Sequence, residues 1–251
     1  MMPPPKSFMP YAILQKELIA PSVEQLTQAC RVLPSLTAID AQTMFHDAYG
    51  ILMRGMDLLD ASALQDALQI ESVETIVIEE TELPVMPPAK VIRQIDFLPN
   101  YLTMYDPMGR SFTLPAHDVM FIAAGDVRIH EYKRVKSGPE ESQLSSTGQT
   151  NSHLMLEIFL VGGVSRYSIA AEDFAFGYLG GRITESLSHN FGLLVQDLAQ
   201  FAPHAGLNRG AFLLCENAEE LFTYPNKPAF YEEMTWMLWR ISQSGYAEPP
   251  Q

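Results

Sequence analysis

Two stretches decide the fold of this chain: YAILQKELIAPSVEQLTQACRVLPSLTAI at residues 11–39 and YGILMRGMDLLDASALQDALQIESVETIV at residues 49–77. They align without a gap at an offset of 38 positions. Tyr11/Tyr49, Ile13/Ile51, Leu14/Leu52, Leu26/Leu64, Ala29/Ala67 and Thr37/Thr75 are identical pairs, and Lys16/Arg54, Leu18/Met56, Ser22/Asp60, Cys30/Leu68, Val32/Ile70 and Ile39/Val77 keep their chemistry. Chance supplies roughly two identities over such a window at ordinary composition. The pattern reads as an internal duplication.

Each copy opens with a strand-like run, Tyr11–Lys16 or Tyr49–Arg54. A helix follows, with apolar positions Val23, Leu26, Ala29 and Cys30 in one copy and Ala61, Leu64, Ala67 and Leu68 in the other. Those spacings put one apolar stripe on each helix. Ser22 with Gln25 fits a capping box, and Asp60 is placed to cap the second helix. A second strand closes each copy, clearest at Glu74–Glu79, while Asp40–Ala48 joins the central strands and is long enough for a helical turn. Two such units predict β-α-β-β-α-β over residues 11–82, the split arrangement of a ferredoxin-like fold, with helices on one face of a four-stranded antiparallel sheet. With Asp60–Gln69 followed by a strand, the second copy is also similar to small bacterial ferredoxin-like domains that act as signal-transducing or ligand-sensing modules. That resemblance implies a fold and names no ligand residue.

Residues 1–10 read as a disordered N-terminus, and Leu83-Pro-Val-Met-Pro-Pro-Ala89 as part of a semi-rigid connector over 83–90. Beyond it, residues 91–245 change texture. Strand runs at Val91–Phe97, Tyr101–Tyr105, Ser111–Leu114, Val119–Tyr132, His153–Leu160 and Arg166–Ile169 are split by the Asp106-Pro-Met-Gly109 turn and by Gly162-Gly163. The polar stretch 137–152 reads as a mobile loop. Leu187, Phe191, Leu194, Val195, Leu198 and Phe201 then mark an amphipathic helix that stops before Pro203. A shorter helix holds Leu207, Ala211, Leu214 and Cys215, and a final one starts near Pro228 and runs to about Ser242. Strands closed by an amphipathic helix resemble the pleckstrin-homology-like architecture, so the expected fold class is α+β: a duplicated βαβ domain, then a bent antiparallel sheet or barrel with C-terminal helices.

Charge narrows the partners. Sixteen basic residues against 30 acidic ones give a formal charge of −14, a field that repels nucleic acid and anionic lipid. No apolar run approaches a membrane span, and residues 1–7 lack the core of a signal peptide. Two lone cysteines, Cys30 and Cys215, without CxxC spacing argue for a reducing compartment and against a zinc knuckle. A cytoplasmic location is expected.

Catalytic signals are absent from the sequence. His46-Asp47 and His117-Asp118 are adjacent residues, which point apart on a helix or strand. The other histidines are scattered, and no GxSxG or Ser-x-x-Lys occurs. Gly177–Arg182 lacks the strand-glycine-helix pattern of a dinucleotide site and reads as a tight turn, beside which Arg182 could hold an anion or a carboxylate from another element. Glu79, Glu80 and Glu82 read as a solvated strand end. No catalytic residue, metal ligand or cofactor is therefore expected.

The final helix carries the best functional hint. At 100° per residue, Phe230, Met234, Met237, Leu238 and Ile241 lie on one side, with Trp236 and Trp239 toward the other. Such a helix is sandwiched between layers or shows a patch to a partner. The leading expectation is a non-enzymatic regulatory or adaptor protein working through a protein partner or self-association, with Trp236 and Trp239 as the interface. One alternative is a small-molecule sensor with ligand loops at Ile19–Ser22 and Leu58–Asp60. Another is a hydrolase or transferase in which His117, Asp118 and Arg182 converge.

Overall fold

A computed structural model of the chain describes residues 9–134, 146–163 and 165–244. It is a mixed α+β protein with three sheets among the described residues. Its packing divides into two compact units, Met1–Met86 with Pro228–Gln251, and Pro87–Lys227. The division falls between Met86 and Pro87, and the last helix, from Pro228 on, belongs with the first unit. Of the N-terminus expected to be disordered, residues 1–8 lie outside the described residues. Pro10 runs straight into the first strand, its carbonyl accepting from the Glu80 N–H at 2.9 Å.

The first unit runs β1 (Tyr11–Gln15), α1 (Val23–Cys30), α2 (Ala38–Asp47), β2 (Ile51–Met56), α3 (Leu58–Ile70) and β3 (Thr75–Glu79). The sheet order is β2-β1-β3, with both pairs antiparallel. A central strand covered on both faces needs consecutive apolar residues, which explains the unbroken Ala12-Ile13-Leu14. Ile13 joins Leu26, Ala29, Cys30, Met44, Leu64 and Leu68 in the core under α1–α3. Ala12 and Leu14 face the other way, joining Ile51, Ile78, Leu83, Trp236 and Trp239.

Two expectations for this unit are corrected. The sheet has three strands, because Thr37 begins a helix instead of ending a strand. Its hydroxyl accepts from the Ile39 and Asp40 N–H groups while the Asp40 carboxylate accepts from the Thr37 N–H at 2.7 Å, a reciprocal cap that commits Ala38–Asp47 to α2. Asp60 is not the cap of α3. Asp57 is, accepting from the Asp60 N–H at 2.9 Å, so Leu58–Asp60 is the first helical turn and not a loop.

The residues that match in the sequence repeat take equivalent places in the helices but not in the strands. Leu26/Leu64 and Cys30/Leu68 occupy matching buried places. Ile13 and Leu52 face α1–α3, whereas their repeat mates Ile51 and Leu14 face the tryptophans. Register shifts in the β1–β2 pairing accompany this exchange, since one residue of slip turns a strand over.

In the second unit, β4 (Ala89–Val91), β8 (Val119–Arg134), β9 (Ser146–Leu160), β10 (Arg166–Ala170) and β11 (Gly206–Leu207) form a sheet in the order β11-β8-β9-β10-β4, with β12 (Thr223–Tyr224) also on β8. β5 (Gln94–Phe97), β6 (Tyr101–Tyr105) and β7 (Ser111–Pro115) form a separate meander. Neither sheet closes among the described residues, so the expected barrel is replaced by two open sheets. α4 (Leu187–Phe201) lays Phe191, Leu194, Val195 and Leu198 into their shared core, and α5 (Arg209–Glu216) adds Ala211 and Leu214. Of the loop expected at 137–152, residues 146–152 are strand, paired with Arg128–Arg134; residues 137–145 lie outside the described residues. α6 (Lys227–Gln243) is the last helix among the described residues.

Candidate functional site

A pocket of about 240 Å³ opens in the first unit where β1 ends. Gln15, Glu17, Ile19, Ala20, Pro21, Gln25, Ser72, Val73 and Glu74 line it. Local chemistry builds each wall. The Gln15 amide donates to the Ile19 carbonyl at 2.7 Å and accepts from the Gly50 N–H at 3.3 Å, pinning the loop that leaves the sheet. Ser22 and Gln25 form the expected capping box, and the Gln25 amide reaches on to the Glu71 carbonyl at 2.6 Å. Behind it α3 ends with Ser72 at φ +62° and the Val73 N–H on the Leu68 carbonyl, a left-handed ending that aims the chain into β3.

Of the expected ligand positions, Ile19 lines this pocket and Ser22 caps the helix behind it. Leu58 and Asp60 are on α3 and do not line it. Trp236 and Trp239 are 2% and 9% exposed, packed against the chain's own sheet instead of displayed to a partner. Phe230 and Met234, on the other side of α6, are equally buried.

A second depression, about 490 Å³ and more open, lies in the second unit between β5, the turn Phe176–Arg182 and α4. Asp96, Phe97, Tyr178, Arg182, Asp197, Gln200 and Phe201 line it. Arg182 does hold a carboxylate from another element: its guanidinium donates to both oxygens of Asp197, at 3.0 and 2.7 Å. Asp197 was missed from sequence, where a lone acid on the polar side of an amphipathic helix looks like any solvated residue. Burial first, and then the Asp197 charge, push the Tyr178 phenol up, so it stays protonated; its buried oxygen nevertheless makes no hydrogen bond of good geometry. His117 and Asp118 sit together on a 3-10 turn, His117 Nε2 being 3.4 Å from the Asp118 carboxylate, and neither lines the cleft with Arg182.

The most perturbed carboxyl is elsewhere. Glu157, on β9, is fully buried, and that burial pushes its pKa up to about 7 against the pull of Arg166, Ser168 and Lys227. Ser168 donates to it at 2.9 Å, and the Arg166 guanidinium lies 3.5 Å away while donating to the Pro87 carbonyl at 3.1 Å. Burial raises both cysteine thiols as well, with the charge of Asp40 adding to Cys30, which leaves them poor nucleophiles. Glu79, Glu80 and Glu82 have local tasks: Glu80 accepts from the Gly55 N–H and lies 3.8 Å from Arg54, and Glu82 accepts from the Glu79 N–H. Asn208 is buried, and its partners Ala124, Ala211 and Tyr224 all belong to the second unit.

No group of three or more His, Cys, Asp or Glu side chains is placed to hold a metal ion among the described residues. No helix among them is long and apolar enough to cross a membrane. A scan of protein-family models, a search of curated proteins and a search of solved structures each return no match to this chain.

Proposed function

We propose that this chain is a non-enzymatic regulatory protein whose first unit senses a small polar molecule. The observation that carries this reading is the pocket behind the Ile19–Ser22 loop, walled by two separated segments of the chain, 15–25 and 72–74. About 240 Å³ is below the usual range for drug-sized ligands and suits a molecule of amino-acid size. Two carboxylates, Glu17 and Glu74, two side-chain amides and several main-chain groups surround it. Glu74 also lies 3.5 Å from Lys16 Nζ, and with Glu17 it suits a ligand carrying an amine.

Ala20→Trp fills the pocket from an exposed position and leaves the core alone. Thermal melting against a panel of amino acids and small amines tests the reading. One compound should raise the melting temperature of the native chain, by about 2.7 kcal/mol of stabilisation at a hundredfold excess over Kd, and leave the A20W protein unmoved. No rise across the panel, or an equal rise in A20W, would overturn it.

Protein contact is the second reading, favoured by Leu59 and Ile70, which are 82% and 81% exposed. Eleven residues apart, they lie on one side of α3. Leu59→Lys with Ile70→Lys should lower the molar mass seen by light scattering if that face joins two copies.

A further inference from the structure

We infer that the side chains of Gln65 and Glu82 are guards: they stop the outer edge of β3 from pairing with β3 of a second copy of this chain. β3 ends its sheet, with β1 on one side and no strand on the other among the described residues. The Lys16 N–H donates to the Glu74 carbonyl at 3.0 Å, and the Glu80 N–H to the Pro10 carbonyl at 2.9 Å. Antiparallel bonding alternates along a strand. Ile76 and Ile78 therefore turn their main-chain groups toward β1 as well, while Thr75, Val77 and Glu79 turn theirs outward.

A row of outward groups is a template for another strand. The run Thr75–Glu79, TIVIE, is rich in β-branched residues and complementary to itself. Turned about a two-fold axis at Val77, the two copies of Val77 exchange both main-chain bonds, and Thr75 of each copy faces Glu79 of the other. In that register the Glu79 N–H of one copy donates to the Thr75 carbonyl of its partner. Those two groups are already taken. The Gln65 amide, reaching from α3, donates to the Thr75 carbonyl at 2.9 Å, and the Glu82 carboxylate accepts from the Glu79 N–H at 3.2 Å. One guard occupies the acceptor and the other the donor of the same intermolecular bond. Charge contributes less. Glu74 and Glu80 would meet across the pair, but Lys16 lies 3.5 Å from Glu74 and Arg54 3.8 Å from Glu80.

Light scattering over a concentration series tests this on the full chain, with Leu59→Lys and Ile70→Lys present throughout so that the α3 face adds no contact of its own. Gln65 is half-buried and Glu82 exposed, so Gln65→Ala with Glu82→Ala spares the core. That variant should double the molar mass of its parent at high concentration, and each single change should do so less. Adding Val77→Pro should restore the parent mass, because proline lacks the outward N–H and gives up no bond to β1. Amide exchange followed by NMR places the contact. In the parent the Val77 amide should exchange fast beside protected Ile76 and Ile78, and in the dimer Val77 should become protected too. A mass that stays at the parent value, growth past a dimer, or a dimer whose Val77 amide still exchanges fast would overturn the inference.

Discussion

The indole N–H of Trp236 donates to the main-chain carbonyl of Gln15 at 2.7 Å, joining residues 221 positions apart. The same Gln15 sends its side chain to Ile19 and Gly50. One residue therefore ties the last helix to the central strand and also shapes the pocket loop. Arg240 stacks on the Trp236 ring, its guanidinium carbon 4.9 Å from the centroid, and donates to the neighbouring Lys16 carbonyl at 3.0 Å. The first unit is consequently incomplete without the chain's C-terminal segment.

Trp236→Phe removes the donor and leaves the Gln15 carbonyl unpaired in a buried place. The unpaired acceptor and the lost ring together should cost about 2–4 kcal/mol. Urea unfolding of the full chain measures it. A change under half a kcal/mol would mean the helix is held by something else.

Gly50 carries a φ of +93°, and a methyl group there would sit 2.4 Å from Trp236 Cγ. Gly50→Ala combines backbone strain with a clash against a buried ring. It should destabilise by about 3 kcal/mol. Adding W236F should recover little, because Phe keeps a ring in the same place and the positive φ remains.

Legibility in the sequence followed the range of the forces involved. The Leu187–Phe201 helix stood out because its apolar period and its stop are local. Thr37 and Thr75 are identical in the repeat yet have opposite fates: Asp40 three residues on makes the first a cap, while the Ile76-Val77-Ile78 run makes the second a strand. The strand phase was hidden because Ile13 and Ile51 are identical, and face is set by pairing register. The helical wheel found two apolar sides on α6, but nothing near Trp236 in sequence says that Leu14 covers it. In the same way, the Phe97–Tyr178–Phe201 wall comes from segments about 80 and 20 residues apart and has no local signature.

Asn208 satisfies four groups at once. Its Oδ1 accepts from the Ala124 and Ala211 N–H groups at 2.9 Å, and its Nδ2 donates to the Ala124 carbonyl at 3.0 Å and the Tyr224 hydroxyl at 2.9 Å. Asn208→Ala strips the cap of α5 and orphans both main-chain groups of Ala124 in the core. Loss of a cap costs about 1 kcal/mol and each orphan about 1–3, so the second unit should fail first on heating. Asn208→Asp, which keeps the acceptor and loses the donors, should fall between.

Glu157 makes stability depend on pH with a defined sign. Burial, outweighing Arg166 and Ser168, lifts its pKa from 4.5 to about 7 in the folded chain. The folded state therefore holds this proton more tightly than the unfolded one. Its stabilising contribution is complete below about 4.5 and is lost as pH rises through about 7. The shift corresponds to a loss on the order of 3 kcal/mol. Glu157→Gln removes the titration while keeping an acceptor for Ser168, so the two proteins differ in charge at this site only when the native carboxyl ionises. Unfolding free energies of both should be compared from pH 4.5 to 8. The balance should move toward the Gln variant by that amount across the window, whatever its offset at acid pH, and a difference that stays constant would show that Arg166 fully compensates the buried charge.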